Sequence, residues 1–470
     1  MKLLFLNPPF TKRYDSAGAR FASTRRSRSM WYPVWLAHAA ALCGNDVDLL
    51  DGPAEDISAQ EAVRKALDYD CVVFYTSAPS FKNDSFIAQE IKRQSKRTRI
   101  VFTGPYVSAL PAESLTHAPW VDAVTVGEFD YTVKEIHAGV PFDNIAGLVW
   151  RNGEKIEHNS GRPPVENLDS LPFVSPIYKK YLPIRRYYLP FALHPYISIY
   201  SGRGCPYQCS FCLWPQTFTG RTYRKRSIAN IIEEVRYIQK ELPQVKEIFF
   251  DDDTFSVDKK WVEEFCDAIE PLKVCWSFNA RADIPLAVLQ RLKRAGCRLL
   301  VVGYESGNQK ILDNVHKGIS VQQLTDFTRD CNEAGIMIHG TFVLGLPGET
   351  LESIRQTIDF AKKLRLDTVQ CSLISPLPGT ELYEEMLKKG YLNRQTMVTE
   401  DGFQSCPVQY PGLSNQVIEA SVNNFHREFY IRPHYFLRLL SHVAKGPAEA
   451  RRVFSIGKEY LQFVFSHGHF

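Results

Sequence analysis

Three cysteines on one short stretch are the residues of this sequence best suited to chemistry. Cys205, Cys209 and Cys212 lie at C-x3-C-x2-C spacing within SGRGCPYQCSFCLWP, residues 201–215. Thiolates this close predict a metal site, but a structural zinc site takes four protein ligands and no fourth cysteine lies nearby. A [4Fe-4S] cluster on three cysteines, with one iron open to a ligand, fits better, because structural clusters normally take four. A zinc site completed by a distant histidine is the alternative.

The sequence around the cysteines predicts the elements that must position them. From about residue 196, strand-like runs alternate with helix-like stretches: YISIYSG, EIFFDDD, VCWSFNA, LLVVGYE, HGTFVLG and TVQCSLISP. Six such units predict most of a β/α barrel, since a complete barrel has about eight. Cys205 directly follows the first of these strands. That is the carboxyl end, where barrel enzymes place their chemistry.

The first part of the chain predicts a separate α/β domain. Short apolar runs alternate with helical stretches and end at NPP, SAPS and GPYV. This pattern favours a doubly wound parallel sheet, whose ligands bind at the carboxyl ends of the strands. We therefore expect four regions: a doubly wound domain (1–145), a hairpin and Pro-rich linker (146–190), a partial (β/α)6 barrel (191–390) and a helical C-terminal region (391–470).

Composition excludes several classes of protein. Of 470 residues, 44% are hydrophobic and 23% charged, and the net charge is only +4, which gives no reason to expect nucleic acid as a partner. We see neither a signal peptide nor an apolar run of about 18 residues that would span a membrane. Eleven cysteines, mostly scattered singly, indicate a reduced, cytoplasmic protein.

The cysteine motif and the segments after it resemble the radical S-adenosylmethionine (SAM) superfamily. Phe211 supplies the aromatic residue of C-x3-C-x-Φ-C, and the likeness continues in FFDDDTF (249–255), NARAD (279–283), GYESG (303–307) and GTFVLGLPGET (340–350). The resemblance implies a [4Fe-4S] cluster on the three cysteines and SAM as the ligand of the open iron. An electron from the cluster would cleave SAM to methionine and a 5′-deoxyadenosyl radical.

The resemblance also implies a set of SAM contacts. Arg281 is expected to pair with the SAM carboxylate as a two-pronged donor, and Glu305 to accept from the ribose hydroxyls or the ammonium. Three aspartates stand where the superfamily often has a glycine-rich segment, and Asp252 is expected to hold the ammonium. The other expected contacts are Phe211, Ser306, Gly345 and Gly348, the glycines because they let the backbone approach adenine. The alternatives are a solvated acidic loop and ordinary ion pairs at the barrel rim.

A doubly wound domain ahead of such a barrel resembles the cobalamin-binding subclass. The motif D-x-H-x-x-G, whose histidine ligates cobalt in other cobalamin domains, does not occur before residue 150. Residues 127–130 read GEFD, where many relatives have a second glycine. Many radical SAM members of the subclass also lack the histidine motif, so the sequence leaves open whether cobalamin is bound or the fold only packs and shields.

Longer segments resemble radical SAM proteins of hopanoid biosynthesis. They include RSMWYPVWLAHAAAL, LLVVGYESGNQKIL and HGTFVLGLPGETLESIRQTIDFAKKL. The likeness implies contraction of the glucosamine ring of a hopanoid glycolipid, bacteriohopanetetrol glucosamine, to the cyclitol ether, with flavodoxin or ferredoxin as electron donor. Candidate hydrogen donors to the product radical are Cys371, Tyr304 and Tyr383. The alternatives are a cobalamin-dependent radical SAM methyltransferase and a non-catalytic iron–sulfur protein of electron transfer.

The two basic segments raise the question of a membrane. Residues 10–31 and the C-terminal tail combine Lys and Arg with aromatic residues. In the tail, an apolar stripe at helical spacing is flanked by basic residues, which predicts docking on the inner face of the membrane that holds the lipid substrate. The stripe is Phe436, Leu439, Leu440 and Val443, with Arg432, Arg438 and Lys445 beside it. The alternative is that the tail packs on the barrel and closes its core.

Overall fold

The computed structural model of the chain describes residues 1–10, 15–16, 22–23, 29–393, 405–444, 446–447, 449–454 and 457. Most of the basic loop at residues 10–31 therefore lies outside the described residues, as do Lys445 and the side chain of Phe436. The described part forms a doubly wound domain followed by an open six-stranded barrel and a helical C-terminal region. The fold class expected from the sequence is confirmed.

The N-terminal domain is built on one seven-stranded sheet. Its strands, with a separate two-residue pair between the first two, are β1 (Leu3–Asn7), β2 (Asp15–Ser16), β3 (Ala22–Ser23), β4 (Val47–Asp51), β5 (Cys71–Tyr75), β6 (Arg99–Thr103), β7 (Ala123–Thr125), β8 (Leu148–Asn152) and β9 (Lys155–His158). The order is β4-β1-β5-β6-β7-β8-β9. The first five strands in this order, from β4 through β1 to β7, run parallel. The β8–β9 hairpin extends the sheet by antiparallel pairing of β8 with β7. The sequence analysis grouped this hairpin with the linker.

Helices cover both faces of this sheet, which explains why its strands read as continuous apolar runs. Every residue of β1 is buried. The helices are α1 (Val34–Cys43), α2 (Gly52–Glu55), α3 (Ala59–Ala66), α4 (Phe81–Gln94), α5 (Pro105–Ala109), α6 (Pro111–His117), α7 (Asp130–His137) and α8 (Ser175–Tyr181). Because β1 and β5 are neighbours while their connections lead to opposite sides, the carboxyl ends of these two strands form the switch point where such sheets bind ligands.

The barrel domain has six parallel strands and a small two-stranded pair beside the cysteine loop. Its strands are β10 (Tyr196–Ile199), β11 (Gly202–Arg203), β12 (Arg224–Lys225), β13 (Glu247–Phe250), β14 (Trp276–Ala280), β15 (Cys297–Glu305), β16 (Met337–Leu344) and β17 (Thr368–Leu373). The six run in the order β10-β13-β14-β15-β16-β17, all parallel, and the pair is β11 with β12.

Helices follow the strands and pack on the outer face of the barrel. They are α9 (Leu213–Thr217), α10 (Ile228–Glu241), α11 (Lys259–Ile269), α12 (Leu286–Arg294), α13 (Gln309–Asn314), α14 (Val321–Ala334), α15 (Leu351–Lys363), α16 (Glu381–Lys388), α17 (Asn415–Tyr430) and α18 (Pro433–Val443). Local sequence sets their ends: Ser320 and Gln323 form a reciprocal capping box at the start of α14, and Gly335 ends it in the left-handed conformation.

The C-terminal region packs on the last barrel strands. Phe425 and Phe429 of α17 are buried, and Phe425 contacts Phe342 of β16 at a ring distance of 5.0 Å. Arg438 pairs with Asp367 at 3.0 Å, and Arg432 donates to the carbonyl oxygen of Phe429 at 2.7 Å. Two of the basic residues expected to face lipid headgroups thus bind the protein itself. The described tail supports the packing alternative.

Candidate SAM and cluster site

The three cysteines lie on a loop that protein contacts hold in shape. This cluster loop, residues 201–212, follows β10 and ends at α9. The side-chain amide of Gln216 donates to the carbonyl oxygens of Cys209, Ser210 and Cys212, at 3.4, 3.1 and 2.7 Å. Gly204 has φ +93°, and a Cβ there would lie 2.2 Å from the carbonyl oxygen of Thr222. The loop geometry is therefore built by the chain.

The thiols themselves need a compensating charge. Burial raises the pKa of Cys205 to about 11. Burial is also the main cause of the raised pKa of Cys212, and the nearby Asp253 carboxylate is the second cause. Iron supplies the positive charge that keeps such thiols deprotonated. Among the described residues, no group of three or more His, Cys, Asp or Glu converges as one metal ion would require. A cubic cluster places no such demand, because each cysteine binds a different iron, and the three thiols fit it.

Asp252 braces the cluster loop and does not face a ligand. The carboxylate accepts from the Ser201 backbone N–H at 2.7 Å and from the Tyr223 hydroxyl at 2.8 Å, and it also accepts from the Ser201 hydroxyl. It is fully buried. The expectation that Asp252 holds the SAM ammonium is therefore corrected, because loop donors already surround its oxygens. Asp253 has a similar role, accepting from the Gly204 N–H at 3.2 Å and the Thr219 hydroxyl at 2.8 Å.

Asp251 is the member of the triplet that faces the barrel interior. Phe250 packs on Phe265 of α11, so the alternation of side chains turns Phe249 and Asp251 toward the other face. Among the described residues, the Asp251 carboxyl accepts one hydrogen bond, from the Asn279 amide at 3.0 Å. Burial raises the pKa of Asp251 to about 8, against the lowering effect of the Asn279 bond. Sequence analysis did not single out Asp251; strand alternation was the signal that could have found it.

The N-terminal domain holds the cluster loop from the other side. Arg203, two residues before Cys205, donates to both carboxylate oxygens of Asp130, at 2.7 and 3.1 Å. Arg224 pairs with Glu128 at 2.5 Å. The Arg203 and Asp130 side chains are 2% and 0% exposed, and the Arg203 guanidinium lies 4.2 Å from the ring centroid of Trp35. The segment GEFD thus joins the two domains through buried ion pairs.

Arg281 binds backbone and a tyrosine ring. It donates to the carbonyl oxygen of Gly318 at 2.9 Å and to that of Lys317, and its guanidinium lies 3.9 Å from the Tyr207 ring centroid. Its Nε lies 3.6 Å from Asp283. A cleft of about 290 Å³ opens here, lined in part by Tyr207, Arg281 and Lys317. The structure places Arg281 at the expected edge of the barrel, with hydrogen bonds directed to the chain.

Glu305 forms a buried ion pair with a residue that the sequence analysis missed. Lys317 Nζ lies 2.7 Å from Glu305 Oε1, and both side chains are 9% exposed. Burial alone would lower the pKa of Lys317, but the Glu305 carboxylate raises it above its ordinary value. No motif marks Lys317, since it lies twelve residues beyond Glu305 on a loop after α13.

The remaining expected SAM contacts have structural partners. The Ser306 hydroxyl is buried and lies 3.0 Å from the Thr357 hydroxyl. A Cβ at Gly345 would meet Ile374 Cγ2 at 2.7 Å, and one at Gly348 would meet Asn314 Nδ2 at 2.6 Å. Both glycines have positive φ, so packing and backbone conformation explain them without a ligand. Phe211 is partly buried against the core.

Two of the three candidate hydrogen donors, Tyr304 and Cys371, do not point into the barrel. The Tyr304 hydroxyl lies 2.6 Å from the Thr328 hydroxyl of α14, on the outer face. Cys371 pairs in register with Phe342, which packs on α17, so Cys371 shares that outer face. Tyr383 is a buried residue of α16. Strand alternation sends Tyr304 and Cys371 toward the helices, so neither faces a substrate inside the barrel.

The edges of the two domains meet at the cluster loop. A Cβ at Gly379 would lie 2.5 Å from Thr217 Cγ2 of α9 and 2.8 Å from Ala109 Cβ of α5. Helix α5 follows β6 of the first sheet, whereas α9 follows the cluster loop. The carboxyl ends of β1, β5 and β6, with Asn7, Thr76 and Gly104, are where cobalamin would be held. Gly104 lets the ends of β5 and β6 approach each other closely, since a Cβ there would lie 2.5 Å from the Thr76 carbonyl oxygen.

This fold and site define a radical SAM enzyme with an N-terminal cobalamin-binding domain. Residues 199–361 match the radical SAM superfamily and residues 24–137 match the B12 binding domain. An uncharacterized methyltransferase of Pyrococcus horikoshii is 30% identical over 454 residues, covering 93% of this chain and 94% of that protein. The chain belongs to the radical SAM superfamily, in the group with a B12-binding domain. Membership supports a [4Fe-4S] cluster, SAM and cobalamin as cofactors. It argues against the alternative of a non-catalytic iron–sulfur protein of electron transfer.

The names of other similar proteins refer to different reactions. The anaerobic magnesium-protoporphyrin IX monomethyl ester cyclase of Cereibacter sphaeroides is 26% identical, covering 93% of this chain and 71% of that protein. The hopanoid C-3 methylase of Methylococcus capsulatus is 30% identical, covering 51% and 44%. The solved radical SAM methyltransferase TsrM of Kitasatospora setae shares the fold, with a TM-score of 0.64 at 17% identity, covering 92% of this chain and 82% of that one.

No helix in the described ranges has both the length and the apolar character needed to cross a membrane.

Proposed function

We propose that the protein is a cobalamin-dependent radical SAM methyltransferase. The sequence analysis gave this function as an alternative to ring contraction. One observation carries the proposal: the ligand edge of the N-terminal sheet adjoins the cluster loop, through α5 against α9 and through the Arg203–Asp130 pair. Methyl transfer needs both cofactors within reach of one substrate. Ring contraction started by the deoxyadenosyl radical gives the first domain no chemical task.

The cofactors supply the chemistry when bound: the cluster and SAM supply a substrate radical, and cobalamin supplies the methyl group. The chain's own residues then have four tasks. The three cysteines hold the cluster, and Asp252 and Asp253 fix the loop that carries them. The Arg203–Asp130 pair fixes the spacing between the domains. Asp251 and Asn279 present polar groups to the barrel interior, where a substrate hydroxyl or amine would find partners.

A hopanoid lipid is the substrate class that we propose. Its support is the hopanoid C-3 methylase relative and the resemblance of several segments to hopanoid-biosynthesis proteins. A polar head group on such a lipid would reach Asp251 while the apolar rings stay outside the barrel. We also propose that a small reductant protein, flavodoxin or ferredoxin, reduces the cluster.

Ring contraction of a glucosaminyl hopanoid is the second candidate. The observation that favours it is the cyclase relative, a ring-forming enzyme by its name, which matches 93% of this chain. Both candidates begin with hydrogen abstraction by the deoxyadenosyl radical. They differ in what else is formed, because methyl transfer consumes a second SAM and releases S-adenosylhomocysteine.

The test is an anaerobic assay of the full chain with reconstituted cluster, added cobalamin and methyl-deuterated SAM. Bacteriohopanetetrol and its glucosaminyl derivative are offered separately. Methyl transfer predicts S-adenosylhomocysteine beside 5′-deoxyadenosine and a product heavier by one deuterated methyl group. Ring contraction predicts 5′-deoxyadenosine alone and a product of unchanged mass, identified by NMR.

A control without cobalamin completes the assay. Methyl transfer must stop without cobalamin, whereas formation of the isomer should continue. A mass-neutral product formed equally well without cobalamin would overturn the proposal and establish the second candidate.

We further propose that the C-terminal region touches the membrane that stores such a lipid. The support is two large apolar side chains, Leu440 and Phe454, which are 65% and 70% exposed. Exposed apolar residues on a helical surface can enter the headgroup layer. Co-sedimentation with anionic vesicles should fall for Leu440→Glu/Phe454→Glu and stay unchanged for Phe86→Glu, whose side chain in the N-terminal domain is 48% exposed. Equal sedimentation of the two variants would contradict this contact.

A further inference from the structure

Three polar side chains face the inside of the barrel from its last two strands. Phe342 of β16 packs on α17 outside the barrel, so the alternation of side chains turns its neighbour Thr341 inward. Thr341 pairs in register with Gln370 of β17, and Ser372 lies two residues further along the same face of that strand. Thr341, Gln370 and Ser372 are called the polar wall below. They are uncharged, and neither the cluster loop nor its supports use them.

The polar wall borders an open space inside the barrel. Gln370 is exposed, and Thr341 and Ser372 are partly buried, although all three lie within paired strands. The outward-facing residues of the same strands, Phe342 and Cys371, are only 1% and 5% exposed. Side chains that faced a filled core would be as buried as these two. The inner side of β16 and β17 is therefore accessible to a ligand.

Aromatic side chains close the barrel below this space. The ring of Phe191, which precedes β10, lies 5.7 Å from the ring of Phe249 and 4.6 Å from that of His339. All three residues are buried. Phe249 and His339 lie on the inner face, two residues before Asp251 and Thr341. A ligand therefore reaches the polar wall from the carboxyl ends of the strands, which is the side of the cluster loop.

The polar wall has hydrogen-bonding capacity to spare. The Gln370 amide donates to the Ser372 hydroxyl at 3.2 Å, and the Thr341 hydroxyl donates to the carbonyl oxygen of Val302 at 3.3 Å. A primary amide has two donors and a carbonyl acceptor, and a hydroxyl both donates and accepts. Within the described structure, these two bonds leave the Gln370 carbonyl oxygen and the Ser372 O–H for a ligand. The complement of such neutral groups is a row of hydroxyls, whereas a carboxylate or phosphate would find no cation on this wall.

The polar wall also lies where the two domains meet. β10 and β17 are the two edges of the open barrel, and the cluster loop follows β10. The segment after β17 reaches Gly379, where a Cβ would lie 2.8 Å from Ala109 of α5. Helix α5 follows β6 at the ligand edge of the N-terminal sheet. A ligand on the polar wall therefore adjoins both the cluster loop and that edge, as the acceptor of a transferred group must.

We propose that the polar wall binds the hydroxyl groups of a polyol head group and that Gln370 determines the preference for it. The choice of a lipid polyol rests on the proposed function, since bacteriohopanetetrol ends in a tetrol. Gln370 serves two neighbouring hydroxyls, accepting from one and donating to the other. Ser372 and Thr341 bind the hydroxyls on either side. Val343, which pairs in register with Ser372 and is partly buried, contacts the apolar part of the lipid.

The test is the binding of two short lipids that differ only in hydroxyl groups. Decane-1,2,3,4-tetrol and decan-1-ol are titrated by equilibrium dialysis into the anaerobically reconstituted full chain. Gln370→Met and Thr341→Val keep the side-chain size and remove hydrogen-bonding groups. We expect tetrol binding to weaken about 10-fold in Gln370→Met and about 5-fold in Thr341→Val, while decanol binding hardly changes. The matched controls Gln322→Met and Thr325→Val, both exposed on α14, should leave both ligands unaffected.

Three results would overturn the proposal. Equal binding of tetrol and decanol by the wild type would mean that no group recognises the hydroxyls. Equal weakening of both ligands by Gln370→Met would mean a packing role. An unchanged preference for the tetrol in Gln370→Met and in Thr341→Val would place the hydroxyls elsewhere; Thr341→Val, on the neighbouring strand, decides this even where Gln370→Met does not fold.

The binding test and the assay of product mass can fail separately. A preference for the tetrol that depends on Gln370, together with a product of unchanged mass, would retain the polyol site and reject methyl transfer. Methyl transfer to bacteriohopanetetrol by a chain whose polar-wall variants bind the tetrol normally would retain the proposed function and reject the polyol site.

Discussion

The cluster loop and the Glu305–Lys317 pair lie side by side but treat their charges differently. In the cluster loop, Asp252 is surrounded by three donors and Arg203 by two carboxylate oxygens of Asp130. In the pair, Lys317 has one partner within the described structure, and strained backbone flanks it. Charges held by two or more hydrogen bonds to the protein keep a structure together, whereas a charge with a single protein partner can also bind a ligand.

Because of this difference, we expect mutations in the cluster loop and mutations in the Glu305–Lys317 pair to have different effects. Changes in the cluster loop and its supports should alter iron content and stability. Changes in the pair should alter SAM binding while iron content stays the same.

The largest effect is expected from replacing Cys205, Cys209 and Cys212 together by alanine. Without thiolates the cluster has no ligands, so the absorbance near about 400 nm typical of such clusters and all reductive SAM cleavage should be lost. The control is Cys43→Ala, a partly buried free cysteine of α1, which should keep both. A triple variant that retains iron and cleaves SAM would refute the assignment of the cluster loop.

The next effect is expected from breaking the buried pair between the domains. Asp130→Asn removes the two-pronged carboxylate partner of Arg203 and leaves it the Glu128 carboxylate at 3.5 Å, which should lower the free energy of unfolding by up to about 3–5 kcal/mol and reduce iron incorporation. The control is Asp359→Asn, whose partner Arg355 is 48% exposed, and which should cost no more than about 1 kcal/mol. Anaerobic denaturant unfolding and iron analysis measure both. Equal losses in the two variants would show that the domain junction has no special weight.

The sequence predicted the fold correctly and could name the three cysteines as candidate cluster ligands, for physical reasons. Strand and helix alternation is a local property of the chain, so both α/β domains were visible. Cys205, Cys209 and Cys212 are also local, because a single loop carries them. The sequence also showed that Asp252 stands where the superfamily often has a glycine-rich segment. It did not show the role of Asp252, because the contacts of this residue with Ser201 and Tyr223 depend on how β11 and β12 pair.

The surroundings of the candidate SAM contacts were harder to predict because they combine distant segments. Arg281 and Glu305 could be named from motifs, but Lys317 has no motif and reaches Glu305 only through the turn after α13. Strand alternation could have placed Asp251 inside the barrel and Tyr304 outside it. The packing at Gly345 and Gly348 could not be predicted, because Ile374 and Asn314, which fill the space beside them, come from elsewhere in the chain.

Adjacent aspartates sharpen the comparison further. Asp252→Asn removes charge-assisted hydrogen bonds to the cluster loop, each contributing about 1.5–3 kcal/mol, so iron content should fall. Asp251→Asn should leave iron content unchanged, because Asp251 faces the barrel interior and bonds to Asn279. Iron analysis after identical reconstitution compares the two variants. Equal iron loss in both would mean that the whole triplet braces the loop.

The Asp251→Asn variant should also differ from the wild type in how its stability depends on pH. Burial raises the pKa of Asp251 to about 8, whereas an unfolded aspartate has a pKa of about 3.9. Between these values the folded state binds more protons than the unfolded state, so this group's stabilising contribution declines as pH rises. The thermal midpoint of the wild type minus that of Asp251→Asn should therefore fall from about pH 5 to about pH 8 and then level off. A flat difference would contradict the raised pKa of Asp251.

The smallest effect is expected from Gly303→Ala, which tests the Glu305–Lys317 pair without removing a charge. The new methyl group would strike Glu305 Oε1 and Lys317 Nζ. Because both are ends of side chains, they can move aside at part of the usual overpacking cost of about 1–3 kcal/mol. We expect SAM affinity to fall about 10-fold, with iron content and loop stability unchanged. Gly161→Ala, where a Cβ meets nothing within 4 Å, is the matched control. Loss of iron in Gly303→Ala would show that the pair and the cluster loop form one unit and would remove the distinction between them; unchanged SAM affinity would show that the position of the pair does not matter to the ligand.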